Sequence, residues 1–240
     1  MKRLQYTKIM TDLEKKLWSK AYKYVARLRI VPFLRMVAVC NSLAMGRVDA
    51  NSDIDLFIIA KRGRLFIVRS FVTVLLHLFG VRRHGKKIAG RFCLSFFVDD
   101  YSLDLSKIAI ENDVYLAYWM KTLKPIIDDG VSMEFLKANS WLADYFENII
   151  PEEHVLVPKE KTFESIFDGR IGTKLENFLK KWQIKRAHKK LAKLEDKSGV
   201  FMDDHILKFH NVDRRKIFSE KWIQKYGADS KITDEKFMSL

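Results

Sequence analysis

Two aspartates, Asp53 and Asp55, stand at the start of an apolar run that continues over residues 56–60. Side chains alternate between the two faces of a β-strand, so these carboxylates are expected on one face, with Cα atoms about 7 Å apart. Two neighbouring carboxylates repel each other and are costly to bury, and a divalent cation removes that cost. Mg²⁺ binds carboxylate oxygens and leaves coordination positions for substrate phosphates. The pair therefore predicts a site for Mg²⁺ or Mn²⁺.

A second polar feature precedes this pair. Asn41 and Ser42 directly follow another apolar run, residues 36–40. A turn at the end of a strand can present the Ser42 hydroxyl group and backbone N–H groups to a phosphate. Asn tolerates a positive φ better than most residues, which suits such a turn. The stretch 41–56 thus combines a predicted phosphate-binding turn with a predicted metal site.

This stretch resembles the nucleotidyltransferase superfamily of DNA polymerase beta, in its minimal branch. The run Ser52-Asp53-Ile54-Asp55-Leu56 matches the strand motif of that family in full, whereas Asn41 stands where the family usually has Gly. The resemblance covers residues 30–60 and extends less specifically towards residue 100. It implies that a nucleoside triphosphate binds at Asn41 and Ser42, that the two aspartates hold the metal, and that an acceptor hydroxyl displaces pyrophosphate.

The family usually carries a third catalytic carboxylate on a neighbouring strand. The corresponding predicted strand is 92–98, and no acidic residue lies in its middle. Period-two alternation places Asp99, at the end of this strand, on the face opposite the apolar side chains. The resemblance makes Asp99 the expected third metal ligand and catalytic residue. Asp100 and Asp104 are less well placed alternatives.

The composition bounds the class of protein and its partners. The chain has 240 residues with 48% hydrophobic content, which favours a packed core over disorder, and a net charge of +14. Such a charge favours nucleotides or nucleic acid as partners, although it is also compatible with a generally basic surface. Two cysteines, Cys40 and Cys93, imply no disulfide framework and fit a reducing cytoplasm.

Two basic segments are candidates for contact with RNA. Residues 61–91 carry Lys and Arg but no Asp or Glu, and residues 170–197 contain a helix, predicted over 173–196, whose basic stripe has Trp182 interleaved. Each segment can contact phosphates or can be a solvated face. Arg47, between the turn and the pair, is a candidate for compensating nucleotide phosphate charge. The candidate nucleic-acid contacts are Arg62, Arg64, Arg82, Arg83, Lys86, Lys87, Lys185, Arg186 and Lys189.

The elements that must position these residues follow from hydrophobic periodicity. The strands of the site are predicted over 35–40, 53–60 and 92–98, with helices over 11–29 and 65–79. Later helices are predicted over 111–123, 132–148, 173–196 and 213–226, before a frayed tail. We therefore predict an α+β fold, with a nucleotidyltransferase-type mixed sheet flanked by helices in residues 1–106 and a mostly helical C-terminal region in residues 107–240.

The longest apolar stretch, residues 65–79, contains Arg69 and His77 and is too short and too polar to cross a membrane. We therefore expect no membrane partner. His205 and His210 do not have the spacing of a helical zinc pair and are expected to have turn or packing roles.

Several functional interpretations remain open from the sequence. One is a metal-dependent nucleotidyltransferase that moves a nucleoside monophosphate to an acceptor hydroxyl, with RNA as a candidate acceptor. Another is a catalytically degenerate protein of the same fold that binds nucleic acid without turnover, which Asn41 and the absence of a mid-strand acid favour. A third is transfer to a small molecule or a protein, although the net charge of +14 disfavours cationic aminoglycosides. The simplest alternative is that Asp53 and Asp55 cap a turn and bind nothing.

Overall fold

A six-stranded mixed sheet forms the centre of the molecule. The computed structural model describes residues 10–148, 156–160, 164–192, 197, 199–209 and 213–240. The strand order is β4-β1-β2-β3-β6-β5. β2 and β3 run parallel, and the other neighbouring strands run antiparallel. The strands are β1 (Leu34–Cys40), β2 (Ile54–Ala60), β3 (Phe92–Asp99), β4 (Lys124–Asp128), β5 (Val200–Met202) and β6 (Ile206–Phe209).

Helices cover both faces of this sheet, which confirms the predicted α+β class. α1, α3 and α7 pack on one face, and α4, α5, α8 and α9 pack on the other. Among the described residues, no helix has both the length and the apolar character needed to cross a membrane. The helices are α1 (Asp12–Val25), α2 (Asn41–Ala44), α3 (Leu65–Leu78), α4 (Val114–Lys121), α5 (Val131–Ala138), α6 (Glu164–Phe167), α7 (Gly169–Leu191), α8 (Arg215–Tyr226) and α9 (Asp234–Met238).

Local sequence signals account for the first elements. Thr11 caps α1: its Oγ1 accepts a hydrogen bond from the Glu14 backbone N–H (3.2 Å), and its own N–H donates to the Glu14 carboxylate (2.7 Å). This reciprocal arrangement is the capping box that the Thr-x-x-Glu sequence predicts. β2 is buried on both faces, so its apolar residues run continuously instead of alternating with polar ones.

The region after residue 107 contributes three strands that the sequence analysis did not predict. β4 pairs with β1 at one edge of the sheet, and β6 pairs with β3 towards the other. Pro125 lies within β4, where a residue without an N–H group is tolerated because the strand is at an edge. Strands from both predicted segments therefore join a single sheet.

Two further predictions for the C-terminal half are wrong in detail. The helix predicted over 132–148 ends early, and Asn139, whose side chain is buried, donates to the carbonyl groups of Leu103 (2.7 Å) and Phe135 (2.8 Å). The tail is not frayed, because α9 buries Phe237 with its ring 3.7 Å from that of Tyr118. The buried Phe237 ring and the Thr233 cap, whose Oγ1 accepts a hydrogen bond from the Lys236 N–H (3.2 Å), together stabilise a short helix that has little intrinsic stability.

Candidate metal centre and the adjoining basic cleft

The predicted carboxylate pair meets a cysteine that the sequence analysis did not assign. Asp53 directly precedes β2 and Asp55 is its second residue, and the parallel register pairs Asp55 with Cys93 of β3. One ligand atom from each of the three residues lies within 4.8 Å of the others. Three oxygen or sulfur atoms at such separations can surround one metal ion. The structure therefore brings together the two predicted ligands and adds a thiol.

Asn41 joins the turn after β1 to this centre. Its backbone has a φ of +55°, the left-handed conformation that few residues other than Gly and Asn adopt readily. Its side chain hydrogen-bonds to the Asp55 carboxylate, and this bond lowers the pKa of Asp55. Ser42, the next residue, is half-buried in the short helix α2. The residue that departs from the family pattern thus keeps the turn conformation and contacts the carboxylate pair.

The carboxylate pair is costly to hold without a cation. Burial and the neighbouring negative charge of Asp53 raise the pKa of Asp55 to about 6, against the opposing effects of Asn41, Cys93 and Arg83. In metal-free protein, Asp55 therefore binds a proton more tightly than a carboxylate in water does. This is the electrostatic behaviour expected of a site that accepts a cation.

Cys93 and Arg83 complete the immediate surroundings of the pair. Arg83 donates a hydrogen bond from Nη1 to Asp53 Oδ2 (2.7 Å) and contacts Cys93 Sγ at 3.7 Å. Burial and the charges of Asp55 and Asp53 raise the pKa of Cys93 to about 12. The thiol is therefore protonated at neutral pH and must lose its proton to bind a metal.

Asp99 does not join this centre, and the prediction that it supplies the third carboxylate is wrong. The register pairs Asp99 with Ala60, at the other end of β2 from Asp55. At about 3.3 Å per residue, Asp99 lies about 20 Å along β3 from Cys93. It is fully buried there, and its Oδ2 lies 2.8 Å from Nδ1 of His205.

A β-bulge explains why the parity argument for Asp99 failed. One residue of β2, Leu56, lies between Asp55 and Phe57, whereas two residues of β3, Leu94 and Ser95, lie between their partners Cys93 and Phe96. The extra residue changes which side chains of β3 face which side of the sheet. The alternatives fail as well: Asp100 forms an ion pair with Arg35 (3.2 Å), and Asp104 accepts a hydrogen bond from the nearby Ser106 backbone (2.9 Å).

Three predicted basic contacts have partners elsewhere in the fold. Arg47 donates a hydrogen bond to the Met238 carbonyl (2.7 Å) and lies over the Phe237 ring, which ties it to α9. Arg62 lies over the Tyr101 ring at 4.0 Å, and Arg64 lies over the Phe33 ring at 5.2 Å. The last two follow the C-terminal end of β2, whereas the carboxylates lie at its start.

A cleft of about 620 Å³ opens beside Asp55 and Cys93. β3, α3, the loop after α3 and α7 form its walls, and its volume is in the range of small-molecule binding sites. Lys86, Lys87, Lys185 and Lys189 are exposed on the same loop and on α7. The cationic and aromatic side chains that line the cleft include Arg69, Arg82, Arg83, Arg186 and Trp182.

Two polar residues of α7 hold that helix against α3. The Glu176 carboxylate accepts hydrogen bonds from the backbone N–H groups of Phe66 and Ile67, both at 2.8 Å. These groups belong to the first turn of α3 and have no partner within the helix, and the helix dipole favours an anion there. Gln183 donates to the Phe66 carbonyl (3.0 Å) and to Ser70 Oγ (2.9 Å). The contacts fix the helix that carries Trp182 and Arg186.

Comparison of the chain with protein-family models and with curated proteins finds no match. The resemblance to nucleotidyltransferases therefore depends on the residues of the motif. The ligand chemistry fits the metal that this resemblance implies, since two carboxylates suffice for Mg²⁺ or Mn²⁺ when phosphates and water supply the other ligands. Cys93 would add a ligand that suits softer ions such as Zn²⁺.

Proposed function

We propose that this protein is a metal-dependent nucleotidyltransferase that moves a nucleoside monophosphate from a nucleoside triphosphate to an acceptor hydroxyl. The observation that carries the proposal is the Asp53–Asp55 pair, held beside the Asn41–Ser42 turn, with the pKa of Asp55 raised to about 6. A pair of acids of which one is buried at this electrostatic cost is suited to a divalent cation.

Each residue of the centre has a proposed role. Asp53 and Asp55 hold the cation, which when bound neutralises negative charge that develops on the transferred phosphoryl group. Asn41 orients the Asp55 carboxylate through its hydrogen bond. Ser42 contacts the triphosphate from the turn after β1. The acceptor oxygen forms a bond to the α-phosphorus, the bond to pyrophosphate breaks, and the hydroxyl proton passes to water.

Calorimetric titration with ATP, with and without Mn²⁺, tests the metal and nucleotide site. Wild-type protein is expected to bind ATP at least tenfold more tightly with Mn²⁺, about 1.4 kcal/mol, and the Asp53→Asn/Asp55→Asn variant is expected to lose this difference. Asp229→Asn removes an exposed carboxylate as a control. Equal ATP binding with and without Mn²⁺ in both wild type and the double variant would contradict the proposal.

A second candidate function is binding of nucleic acid without turnover. Cys93 pairs with Asp55 on the neighbouring strand, and Asp99 lies at the far end of that strand, which favours this alternative. Labelled nucleoside triphosphates incubated with RNA pools, small hydroxyl compounds and cellular proteins distinguish the two. Metal-dependent transfer of label supports the enzyme, whereas RNA binding without transfer supports the binding protein.

A further inference from the structure

Three arginines from three different elements line the same cleft. Arg69 belongs to α3, Arg82 to the loop that follows it, and Arg186 to α7. Among the ion pairs formed between described residues, none includes these three side chains, whereas the neighbouring Arg83 is paired with Asp53. Three cations concentrated in one cleft without carboxylate partners form a site for an anion with several charged oxygens.

The electrostatics of the cleft support this assignment. Burial and the charges of Arg82 and Arg186 lower the pKa of Arg69 to about 10. Burial and the charge of Arg186 lower the pKa of Arg82. Arg69 and Arg82 are therefore held as cations at a cost that a bound anion would reverse.

Arg69 is held in place and keeps an unused donor. Its Nη1 donates to Gln183 Oε1 (2.5 Å), and its guanidinium lies over the rings of Phe209 (4.9 Å) and Phe97 (5.7 Å). Its Nε is buried, and no group among the described residues accepts a hydrogen bond from it. A buried donor without a partner is uncommon in folded proteins and adds to the cost of holding the Arg69 side chain in this position.

The position of the cleft distinguishes it from the turn at Ser42. That turn follows β1, the carboxylates begin β2, and the cleft lies beyond them against β3. The lining includes Asp55 and Cys93 but neither Asn41 nor Ser42. The cleft therefore approaches the carboxylates from the side opposite the turn and suits a second molecule.

Trp182 adds a surface for a nucleobase. Its side chain lines the cleft with 52% of its surface exposed, and the Arg186 guanidinium lies 5.6 Å from its ring centroid. An exposed aromatic ring next to cations is the combination by which proteins hold single-stranded nucleic acid, because bases stack and phosphates bind the cations.

We propose that Arg69, Arg82, Arg186 and Trp182 bind neighbouring phosphates and an adjoining base of a single-stranded nucleic acid. The strand would then present a hydroxyl group to the Asp53–Asp55 centre. Its role as the acceptor rests on the proposed function, whereas the binding itself does not. RNA and DNA both carry the phosphates and bases that this cleft recognises. Measurements with separate RNA and DNA probes show which of the two the protein binds.

Fluorescence anisotropy with labelled single-stranded RNA and DNA oligonucleotides, in EDTA and without triphosphate, measures this binding alone. Arg82→Gln and Arg186→Gln are each expected to weaken binding about tenfold and to reduce the slope of log K against log salt by about 0.7 for a lost phosphate contact. Trp182→Ala is expected to weaken binding about tenfold with an unchanged slope. Lys181→Gln removes an exposed charge from α7 outside the cleft and is expected to bind as wild type does.

The results separate this inference from the proposed function. The Asp53→Asn/Asp55→Asn variant is expected to retain oligonucleotide affinity while losing metal-dependent ATP binding. Unchanged affinity and salt slope in Arg82→Gln and Arg186→Gln would overturn the inference, as would an equal loss in Lys181→Gln. It would also be overturned if these arginine variants lost ATP binding but retained oligonucleotide binding, because the cleft would then hold the triphosphate.

Discussion

Arg83 donates a 2.7 Å hydrogen bond to Asp53. One carboxylate of the candidate metal centre is therefore already ion-paired with a side chain of the protein itself. A divalent cation at Asp53 must compete with this guanidinium and bind in its positive field. The ion pair therefore lowers the affinity of the centre for a metal while it offsets the repulsion between Asp53 and Asp55.

Replacing Arg83 should strengthen metal binding. Arg83→Gln is expected to increase the affinity for Mn²⁺ about fivefold, about 1 kcal/mol, since Arg83 is partly exposed and solvent screens its charge. Mn²⁺ titration by calorimetry measures this. Arg62→Gln removes the same charge at the opposite end of β2 and is the matched control. An unchanged or weaker Mn²⁺ affinity in Arg83→Gln would show that Arg83 does not compete with the metal for Asp53.

Asp55 should make the metal-free protein less stable as pH rises. Its pKa is about 6 in the fold against an ordinary value of 3.8, so the folded chain binds the proton more tightly than the unfolded chain. The stability contributed by protonated Asp55 is fully present below about pH 4 and is lost as pH rises through about 6. Asp55→Asn is therefore expected to be more stable than wild type by about 2–3 kcal/mol at pH 7.

Urea unfolding in EDTA across this pH range measures the difference in the free energy of unfolding. The advantage of Asp55→Asn should disappear near pH 4, while Asp229→Asn, at an exposed site, should follow wild type throughout. An Asp55→Asn variant that is less stable than wild type at pH 7 would show that the ionised Asp55 carboxylate does not lower the free energy of unfolding.

Cys93 should determine which metals the centre prefers. Cys93→Ser is expected to lower the affinity for Cd²⁺ at least tenfold and to change the affinity for Mn²⁺ less than about twofold, because thiolate ligands select soft ions. Competition titrations measure both affinities, and the ultraviolet absorption of a Cd²⁺–thiolate bond provides a direct signal. Equal Cd²⁺ affinities in Cys93→Ser and wild type would mean that the thiol is not a ligand.

Glu176 should stabilise the fold through the start of α3. Glu176→Ala leaves the backbone N–H groups of Phe66 and Ile67 without their acceptor and is expected to lower the free energy of unfolding by about 2–3 kcal/mol. Urea unfolding measures the loss. Glu176→Gln, which keeps one acceptor oxygen, should lose less. Glu220→Ala, at an exposed position of α8, is the control and should change stability by less than about 0.5 kcal/mol.

The sequence alone determined the features that depend on local geometry. The period of two places Asp53 and Asp55 on one face of β2 whatever surrounds that strand, and the spacing of Thr11 and Glu14 sets the start of α1. The positive φ of Asn41 is likewise a property of one residue in one turn. Apolar runs predicted the three central strands because both faces of the sheet are covered and buried there.

Only the tertiary structure decided which residues meet those features. The pairing of Cys93 with Asp55, and the bulge that separates Asp99 from them, depend on the register between strands distant in sequence. In the sequence, Glu176 and Gln183 have no feature that separates them from the solvated residues of a basic helix. In the structure, α7 packs against α3, and both side chains hydrogen-bond to the backbone of α3. Local periodicity specifies which face of an element a side chain occupies, whereas the partner on that face is selected by packing between elements distant in sequence.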